Sequence, residues 1–315
     1  MEKLLALVGP TAVGKTKMSI RLAKKINGEV ISGDSMQVYR GMDIGTAKIK
    51  PEEMEGIPHH MIDILDPDEA FSVSQFQRMA TELITQINRR QAIPLLVGGT
   101  GLYVQSVTHQ FRFPEKKGSA MIRQKWKTYL AQHGPHQLHE ALRKRDPEYA
   151  RTLHPHNTRR IIRALEIWEL TGQSMREYQQ DWHKESPYDL IMIGLTMERS
   201  TLYERINRRV DQMVKEGLIE ETERIIAKGI PEDATALQAI GYKEIIQYLK
   251  GRLSKEEAIA LLKRNTRRFA KRQFTWFRRM KEIHWFDLTE EKGFDTTVEK
   301  IWQLIAGEWQ LVKNI

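Results

Sequence analysis

The sequence predicts an α/β fold in which a parallel-sheet core is interrupted by a helical insertion. Several short, continuous apolar runs each end in glycine or polar residues, and segments with helical spacing separate them. Such runs are typical of strands that are covered on both faces. The alternation stops at about residue 113 and resumes with the apolar run LIMIGL. We therefore expect a core from residues 1–112 and 188–315, and a helical insertion domain from residues 113–187.

The first apolar run, LLALV, leads into a glycine loop with the sequence GPTAVGKT. Its spacing matches the P-loop pattern, and a helical segment follows that ends at Asn27-Gly28. In such a loop, backbone N–H groups hold phosphate oxygens, Lys15 reaches the terminal phosphates and Thr16 can ligate Mg²⁺. The core is therefore expected to be P-loop NTPase-like, with a phosphate site formed by Gly9, Pro10, Thr11, Ala12, Val13, Gly14, Lys15 and Thr16.

Two further apolar runs are followed by residues whose side chains could take part in a reaction. EVIS is followed by Gly33-Asp34-Ser35, and IPLLV is followed by Gly98-Gly99-Thr100-Gly101. Because the carboxyl ends of parallel strands meet at one edge of a sheet, we expect Gly9, Asp34 and Thr100 to share a cleft. A nucleotide hydrolase would usually end a strand with an aspartate at the Mg²⁺ site, and IPLLV ends in glycine and threonine. The pattern favours phosphate binding over nucleotide hydrolysis.

The remaining elements follow from apolar residues at helical or strand spacing. HWFDL is a candidate further strand, and Asn157 is a candidate N-cap for a helix in the insertion. The predicted buried stripes are Phe76, Ala80, Leu83 and Ile87 after the second strand; Ile161, Leu165 and Trp168 in the insertion; Leu202, Ile206 and Val210 after LIMIGL; and Val298, Ile301 and Ile305 in a closing helix.

Positive charge is concentrated near the carboxyl end of the chain. The formal net charge is +9, and the stretch KRNTRRFAKRQFTWFRRMK at residues 263–281 contains nine basic residues and no acidic one. Like charges four residues apart on a helix repel each other unless a polyanion relieves them. Together with the interleaved aromatic residues, this density indicates nucleic-acid binding. The alternative is an ordinary solvated helix face above an aromatic core stripe.

Two other arginine groups have open interpretations. Arg159, Arg160 and Arg163 lie off the buried stripe of their helix, where they would either grip a phosphate backbone or form an ordinary surface. Arg205, Arg208 and Arg209 follow LIMIGL. If that run joins the sheet, an arginine there would approach the cleft and neutralise charge on a departing phosphate. Otherwise this group is a salt-bridged surface face.

Composition excludes several classes of site. The chain has no cysteine, which excludes disulfides, thiolate metal sites and thiol nucleophiles. No apolar run approaches the ~20 residues of a membrane span, and the first run continues into the glycine loop without a cleavage site. We expect a cytoplasmic protein that does not associate with membranes. The histidines between residues 133 and 156 do not have the spacing of a structural zinc site.

The chain resembles the tRNA dimethylallyltransferase family, also called isopentenyl-tRNA transferases, of the bacterial type. Six blocks carry the resemblance in order over nearly the whole chain: GPTAVGKT, SGDSMQVYRGMDIGTAK, LLVGGTGLY, NTRRIIRALE, AIGYKE and KRQFTWFRR. The resemblance implies transfer of the dimethylallyl group from dimethylallyl diphosphate to N6 of the adenosine 3′ of the tRNA anticodon, with release of pyrophosphate and assistance from Mg²⁺. Val13 departs from the small residue common in the family's loop, where backbone groups bind the ligand.

The resemblance also implies roles for particular residues. Asp34 matches the general base, Thr100 matches a residue that hydrogen-bonds the leaving oxygen, and Lys15, Arg209 and Mg²⁺ on Thr16 would stabilise the departing pyrophosphate. The target base must leave its stack to be reached. The residues expected to contact the tRNA anticodon stem-loop are Asp34, Ser35, Met36, Gln37, Arg159, Arg160, Ile161, Ile162, Arg163, Ile240, Gly241, Tyr242, Lys271, Arg272, Gln273, Trp276 and Arg278.

Three alternatives share part of this pattern. A P-loop nucleoside or nucleotide kinase would have the same loop and sheet but would need no basic aromatic tail. A prenyltransferase acting on free AMP or ADP would share the chemistry but not the tail. A non-catalytic RNA-binding protein would retain only a vestigial loop. No obligate protein partner is evident from the sequence.

Overall fold

The computed structural model describes residues 1–111, 113, 119–180, 185–290 and 293–311. The chain divides into two compact units, one formed by residues 1–108 with 186–315 and the other by residues 109–185. These boundaries lie two to four residues from those expected at 112/113 and 187/188. The first boundary follows the end of a helix at Thr108, which belongs to the first unit.

The first unit is built on a parallel sheet of six strands in the described residues, in the order β3-β2-β4-β1-β5-β6. The α/β fold with a parallel sheet is thereby confirmed, including the strand at HWFDL. β3 was not expected, because two residues are too few to form an apolar run. The strands are β1 (Lys3–Val8), β2 (Gly28–Ser32), β3 (His59–His60), β4 (Ile93–Gly98), β5 (Asp189–Thr196) and β6 (Ile283–Asp287).

Helices cover both faces of this sheet. Alternate residues of β1 point to opposite faces: Leu5 and Leu7 pack in one core cluster, whereas Leu4 and Ala6 pack in the other. The helices of this unit are α1 (Lys15–Ile26), α2 (Val73–Arg89), α3 (Gly101–Thr108), α8 (Arg199–Lys215), α9 (Leu218–Ile226), α10 (Tyr242–Leu249), α11 (Lys255–Phe277) and α12 (Phe294–Glu308).

The predicted buried stripes are largely correct. In α8, Leu202, Ile206 and Val210 are buried, and in α12 Val298, Ile301 and Ile305 are buried. In α2 the third buried residue is Ile84 rather than Leu83, which is only partly buried, and Phe76, Ala80 and Ile87 are buried as predicted. Residues 76, 80 and 84 are each four positions apart, so the stripe follows the i, i+4 row of the helix surface.

The second unit is helical, with its own hydrophobic core. Ile161 and Leu165 are buried there as predicted, but Trp168 is partly exposed and Glu166 is buried. Asn157 is at the N-terminus of its helix, where its side chain makes no capping hydrogen bond. The helices are α4 (Ser119–Arg143), which is broken at Gly134, α5 (Pro147–Arg151), α6 (Thr158–Thr171) and α7 (Met175–Gln180).

Glu166 explains part of the arginine pattern in α6. Burial alone would raise the pKa of the Glu166 carboxyl, but hydrogen bonds from Arg123, Ser119 and Arg163 hold that pKa below its usual range. The Arg163 guanidinium lies 2.9 Å from this carboxylate. Arg163 is therefore part of a structural ion pair.

Among the described helices of either unit, none is long and apolar enough to cross a membrane.

Candidate active site

The glycine loop joins β1 to α1 and curls over the carboxyl end of the sheet. Gly9 has a φ of +148°, and a Cβ atom built there would lie 2.6 Å from the Leu195 carbonyl oxygen. Gly14 has a φ of +107°, and even Ala12 adopts a left-handed conformation at +65°. Left-handed conformations of this kind are typical of loops whose backbone N–H groups bind anions.

Lys15 is folded back over this loop. Its Nζ donates hydrogen bonds to the carbonyl oxygens of Gly9 at 2.9 Å and Pro10 at 2.8 Å. Burial and, to a smaller extent, the positive charge of Arg209 lower the pKa of Lys15 to about 7, although the negative charge of Asp34 acts in the opposite direction. The ammonium is thus close to its titration point in the absence of an anionic ligand.

Asp34 follows β2 at the same edge of the sheet. The Gly33 N–H donates to the Val97 carbonyl at 2.7 Å, which carries the chain directly past the end of β4. Burial raises the pKa of the Asp34 carboxyl, although hydrogen bonds from the Met36 and Gln37 N–H groups and the charge of Lys15 act in the opposite direction. A carboxylate with a raised pKa is well suited to accept a proton near neutral pH.

Thr100 lies beside Asp34, as the strand ends predicted. Its Oγ1 accepts a hydrogen bond from the Ser35 N–H at 3.4 Å. The two turns are so close that a Cβ on Gly98 would lie 2.6 Å from the Gly33 carbonyl oxygen. Glycine at this position therefore allows the loops after β2 and β4 to touch.

A cavity of about 320 Å³ opens at this edge of the sheet. Asp34, Thr100 and Arg209 line it together with Thr11 of the glycine loop, and side chains of α8 and α11 complete the wall. Desolvation and the charge of Arg205 lower the pKa of Arg209. Arg209 makes no ion pair with any acidic residue in the described ranges. The cavity thus combines cations, one carboxylate and an apolar wall from Ile206, Val210 and Leu262.

The sequence and the fold of this chain are similar to those of one known protein family. Residues 37–280 match a family model described as IPP transferase. The chain belongs to the IPP transferase family. A tRNA dimethylallyltransferase from Halalkalibacterium halodurans is 57% identical over 310 residues, which are 98% of each chain.

Solved structures of the family show the same fold. The full-length tRNA isopentenylpyrophosphate transferase from Bacillus halodurans is 56% identical, with a TM-score of 0.76 and coverage of 98% of this chain and 97% of that one. A eukaryotic dimethylallyltransferase acting on tRNA is 31% identical, with a TM-score of 0.82 and coverage of 98% of this chain and 79% of that one.

One wall of the cavity in this IPP transferase depends on a buried carboxylate that the sequence did not single out. Glu221 of α9 accepts hydrogen bonds from the N–H groups of Asp43, Ile44 and Gly45 at 2.9–3.1 Å, and from the Tyr242 hydroxyl at 2.6 Å. Gly45 lines the cavity. In the sequence, Glu221 is one of several acidic residues in a helix, and nothing in its spacing distinguishes it.

Four residues that we expected to contact RNA are instead buried in the fold: Ile161, Ile162, Tyr242 and Gln273 are at most 9% exposed. The two isoleucines pack in the core of the second unit. The Tyr242 hydroxyl is bonded to Glu221, and both ends of the Gln273 amide are bonded to backbone. These four side chains thus make packing contacts within the fold, and their contact with RNA stays a prediction.

Most of the other candidates lie where a ligand could reach them, apart from Gln37 and Arg163, which are bonded within the fold. Ser35, Met36, Ile240, Gly241 and Arg272 line the cavity. The side chain of Gln37 accepts a hydrogen bond from Ser32 and donates to the carbonyl of Thr46, so it holds the loop after β2 together. The exposed candidates are Arg159, Arg160, Lys271, Trp276 and Arg278.

The donor set for a metal is sparse. In the described ranges, no three histidine, aspartate or glutamate side chains are arranged to hold a metal ion. Thr16 at the start of α1 is exposed, with a hydroxyl available at the mouth of the glycine loop. A single protein ligand is consistent with the usual coordination of Mg²⁺, which takes one or two ligands from the protein and the others from water and phosphate oxygens.

Proposed function

We propose that this protein transfers the dimethylallyl group of dimethylallyl diphosphate to N6 of the adenosine 3′ of the anticodon in tRNA, and releases pyrophosphate. The observation that carries the proposal is that Asp34 and Arg209 line one cavity, and that the charges of both act on Lys15 of the adjoining glycine loop, so that a base and an anion site lie side by side. The tRNA dimethylallyltransferases that it resembles at 57% identity support the same reaction. We expect it to act in the cytoplasm.

The diphosphate binds on the glycine loop. Residues 12–16 of the loop supply backbone N–H groups and Lys15 supplies a cation, while Arg209 approaches from α8. The residues present fit Mg²⁺ held by the Thr16 hydroxyl, and a bound Mg²⁺ would add positive charge against the diphosphate oxygens. Thr100 donates its hydroxyl hydrogen to the oxygen that departs with the pyrophosphate.

The transfer itself is a displacement at carbon. The N6 nitrogen forms a bond to the allylic carbon, and the bond from that carbon to the diphosphate oxygen breaks with its electron pair going to pyrophosphate. N6 is a weak nucleophile because its lone pair is delocalised into the ring, so it must lose a proton as it attacks. Asp34 accepts that proton, and its raised pKa matches it to the task. Lys15 and Arg209 stabilise the charge that accumulates on pyrophosphate.

The RNA is bound by exposed cations and by the cavity. Arg268, Lys271 and Arg278 lie on or after α11 and hold phosphates of the anticodon stem-loop, while Arg159 and Arg160 of the helical unit offer further contacts. The target adenosine is extruded from its stack so that its N6 can enter beside Asp34. Loop bases are the usual objects of sequence-specific RNA recognition.

The experiment offers the protein two labelled donors and two acceptors. We expect label from dimethylallyl diphosphate to appear in an anticodon stem-loop with adenosine at the target position, and not in one with guanosine there. Transfer from labelled ATP to a nucleoside, with none from the allyl donor to RNA, would establish a kinase instead. Efficient labelling of free AMP in competition with the stem-loop would establish a transferase for free nucleotides.

A further inference from the structure

Gln273 joins three elements of the site through one buried amide. Its Oε1 accepts a hydrogen bond from the Thr11 N–H at 2.9 Å, and its Nε2 donates to the Gly99 carbonyl at 3.0 Å. The side chain comes from α11 and is 6% exposed. A single residue of the basic helix therefore connects the glycine loop to the turn that carries Thr100.

The glycines of that turn allow the helix to lie directly against it. A Cβ on Gly99 would lie 2.1 Å from Gln273 Nε2, and a Cβ on Gly101 would lie 2.3 Å from the Trp276 ring. Real Cβ atoms essentially never approach so closely. The run Gly98-Gly99-Thr100-Gly101 is thus shaped by α11 as well as by the neighbouring strands.

We infer that Gln273 is a positioning residue for the transfer reaction. It fixes the diphosphate loop relative to Thr100, and it ties both to the helix whose exposed cations hold RNA. This inference rests on the proposed function, which places the diphosphate on residues 9–16. The Thr11 N–H is occupied by Gln273 rather than by phosphate, so the amide shapes the loop and leaves its other donors for the ligand.

A positioning role and a direct contact with RNA make opposite predictions. If Gln273 shapes the loop, its loss weakens pyrophosphate binding in the absence of any RNA and leaves RNA affinity intact. If Gln273 touches RNA, its loss weakens RNA binding and leaves pyrophosphate binding unchanged. Two equilibrium titrations therefore separate the roles without reference to catalysis.

The first variant is Gln273→Leu, which keeps much of the volume and removes both hydrogen bonds. The part-buried Thr11 N–H and the buried Gly99 carbonyl lose their partner, so we expect pyrophosphate affinity and kcat/KM for dimethylallyl diphosphate to fall about 10- to 100-fold. We expect the dissociation constant for the stem-loop to stay within about threefold of wild type, since the exposed cations are unchanged.

Two variants on the same helix serve as controls. Thr275→Val removes a hydroxyl that, among the described residues, bonds to the Lys271 carbonyl of its own helix, and we expect wild-type behaviour in both titrations. Arg268→Gln removes an exposed cation, and we expect weaker RNA binding with unchanged pyrophosphate binding. Together they separate a general loss of helix stability from the loss of the amide.

The Gln273→Glu variant adds a second measurement, the pH dependence of pyrophosphate affinity, which a misfolded protein would not reproduce. A carboxylate still accepts from the Thr11 N–H but repels the Gly99 carbonyl, whereas the protonated acid can donate to that carbonyl. Burial raises the pKa of such a carboxyl, so we expect pyrophosphate affinity of this variant, relative to wild type, to improve as pH falls from 8 to 6.

Wild-type pyrophosphate affinity in Gln273→Leu would overturn the inference, as would a loss confined to RNA binding. A pH-independent ratio between Gln273→Glu and wild type would also overturn it. If the wild-type protein bound pyrophosphate yet transferred no dimethylallyl group to RNA, the proposed function would fail instead, and the titrations on Gln273 would still report on the loop.

Discussion

The pKa of Lys15 leads to a pH dependence that can be worked out from the site. Burial and Arg209 lower this pKa to about 7 in the free protein. The protonated form binds the diphosphate, so the favourable state is present below pH 7 and is lost as pH rises through it. For a single group, the protonated fraction falls about tenfold for each pH unit well above the pKa, so kcat/KM should fall about tenfold between pH 8 and 9.

The bound ligand changes this behaviour in a definite direction. A diphosphate beside the ammonium favours its charged form and raises the pKa of Lys15 in the complex. We therefore expect kcat at saturating dimethylallyl diphosphate to decline much less than kcat/KM over the same range. On the acidic side both parameters should fall as Asp34 becomes protonated, beginning above the usual carboxyl range because its pKa is raised.

The control is Lys15→Arg, since arginine stays charged over the whole range. The absolute rate of this variant will reflect how the larger guanidinium fits the loop, but ionisation of the substrate is common to both proteins. The ratio of kcat/KM for wild type to that for Lys15→Arg isolates the lysine. We expect this ratio to fall above pH 7, and a constant ratio from pH 6 to 9 would refute the assigned pKa and its cause.

Three further outcomes follow from the same structure. The Asp34→Asn variant should bind the stem-loop as tightly as wild type does, while product formation falls by roughly 10²-fold or more, which is the scale of a lost general base. Turnover at the wild-type rate would show that Asp34 is not the general base. Glu221→Gln should lower the free energy of unfolding by about 1–3 kcal/mol in urea titrations because backbone donors lose a charged acceptor, whereas the exposed Glu223→Gln should change little. Stem-loop affinity should fall by about 10²-fold between 50 and 200 mM salt if some five phosphates are contacted, and a flat response would contradict binding by the exposed cations.

The parts of the site that could be predicted are those set by local pattern and sheet geometry. The glycine loop has a fixed spacing between a strand and a helix, and Asp34 and Thr100 each follow an apolar strand. Since parallel strands order their ends at one edge, the meeting of these residues follows from the topology alone. The core faces of α8 and α12 follow in the same way from periodicity.

The parts that escaped prediction depend on contacts between distant segments. Gln273 meets Gly99 across 174 positions, and Glu221 meets Asp43 across 178 positions. Neither polar side chain has a local pattern that marks it as buried. For the same reason, the sequence block AIGYKE predicts an RNA contact for Tyr242, whereas in the structure the Tyr242 ring packs against Gly45 and its hydroxyl bonds to Glu221.

The order of the strands has a consequence for how the chain is made. β1 lies between β4 and β5 in the sheet, yet β5 begins at Asp189, after the whole helical unit has been synthesised. Until then, a nascent chain on the ribosome exposes the unpaired edge of β1, whose residues Leu4 to Val8 are entirely apolar. Such an edge is a template for association with other chains. Translation that stalls between residues 109 and 185 should therefore yield fragments that aggregate or require a chaperone.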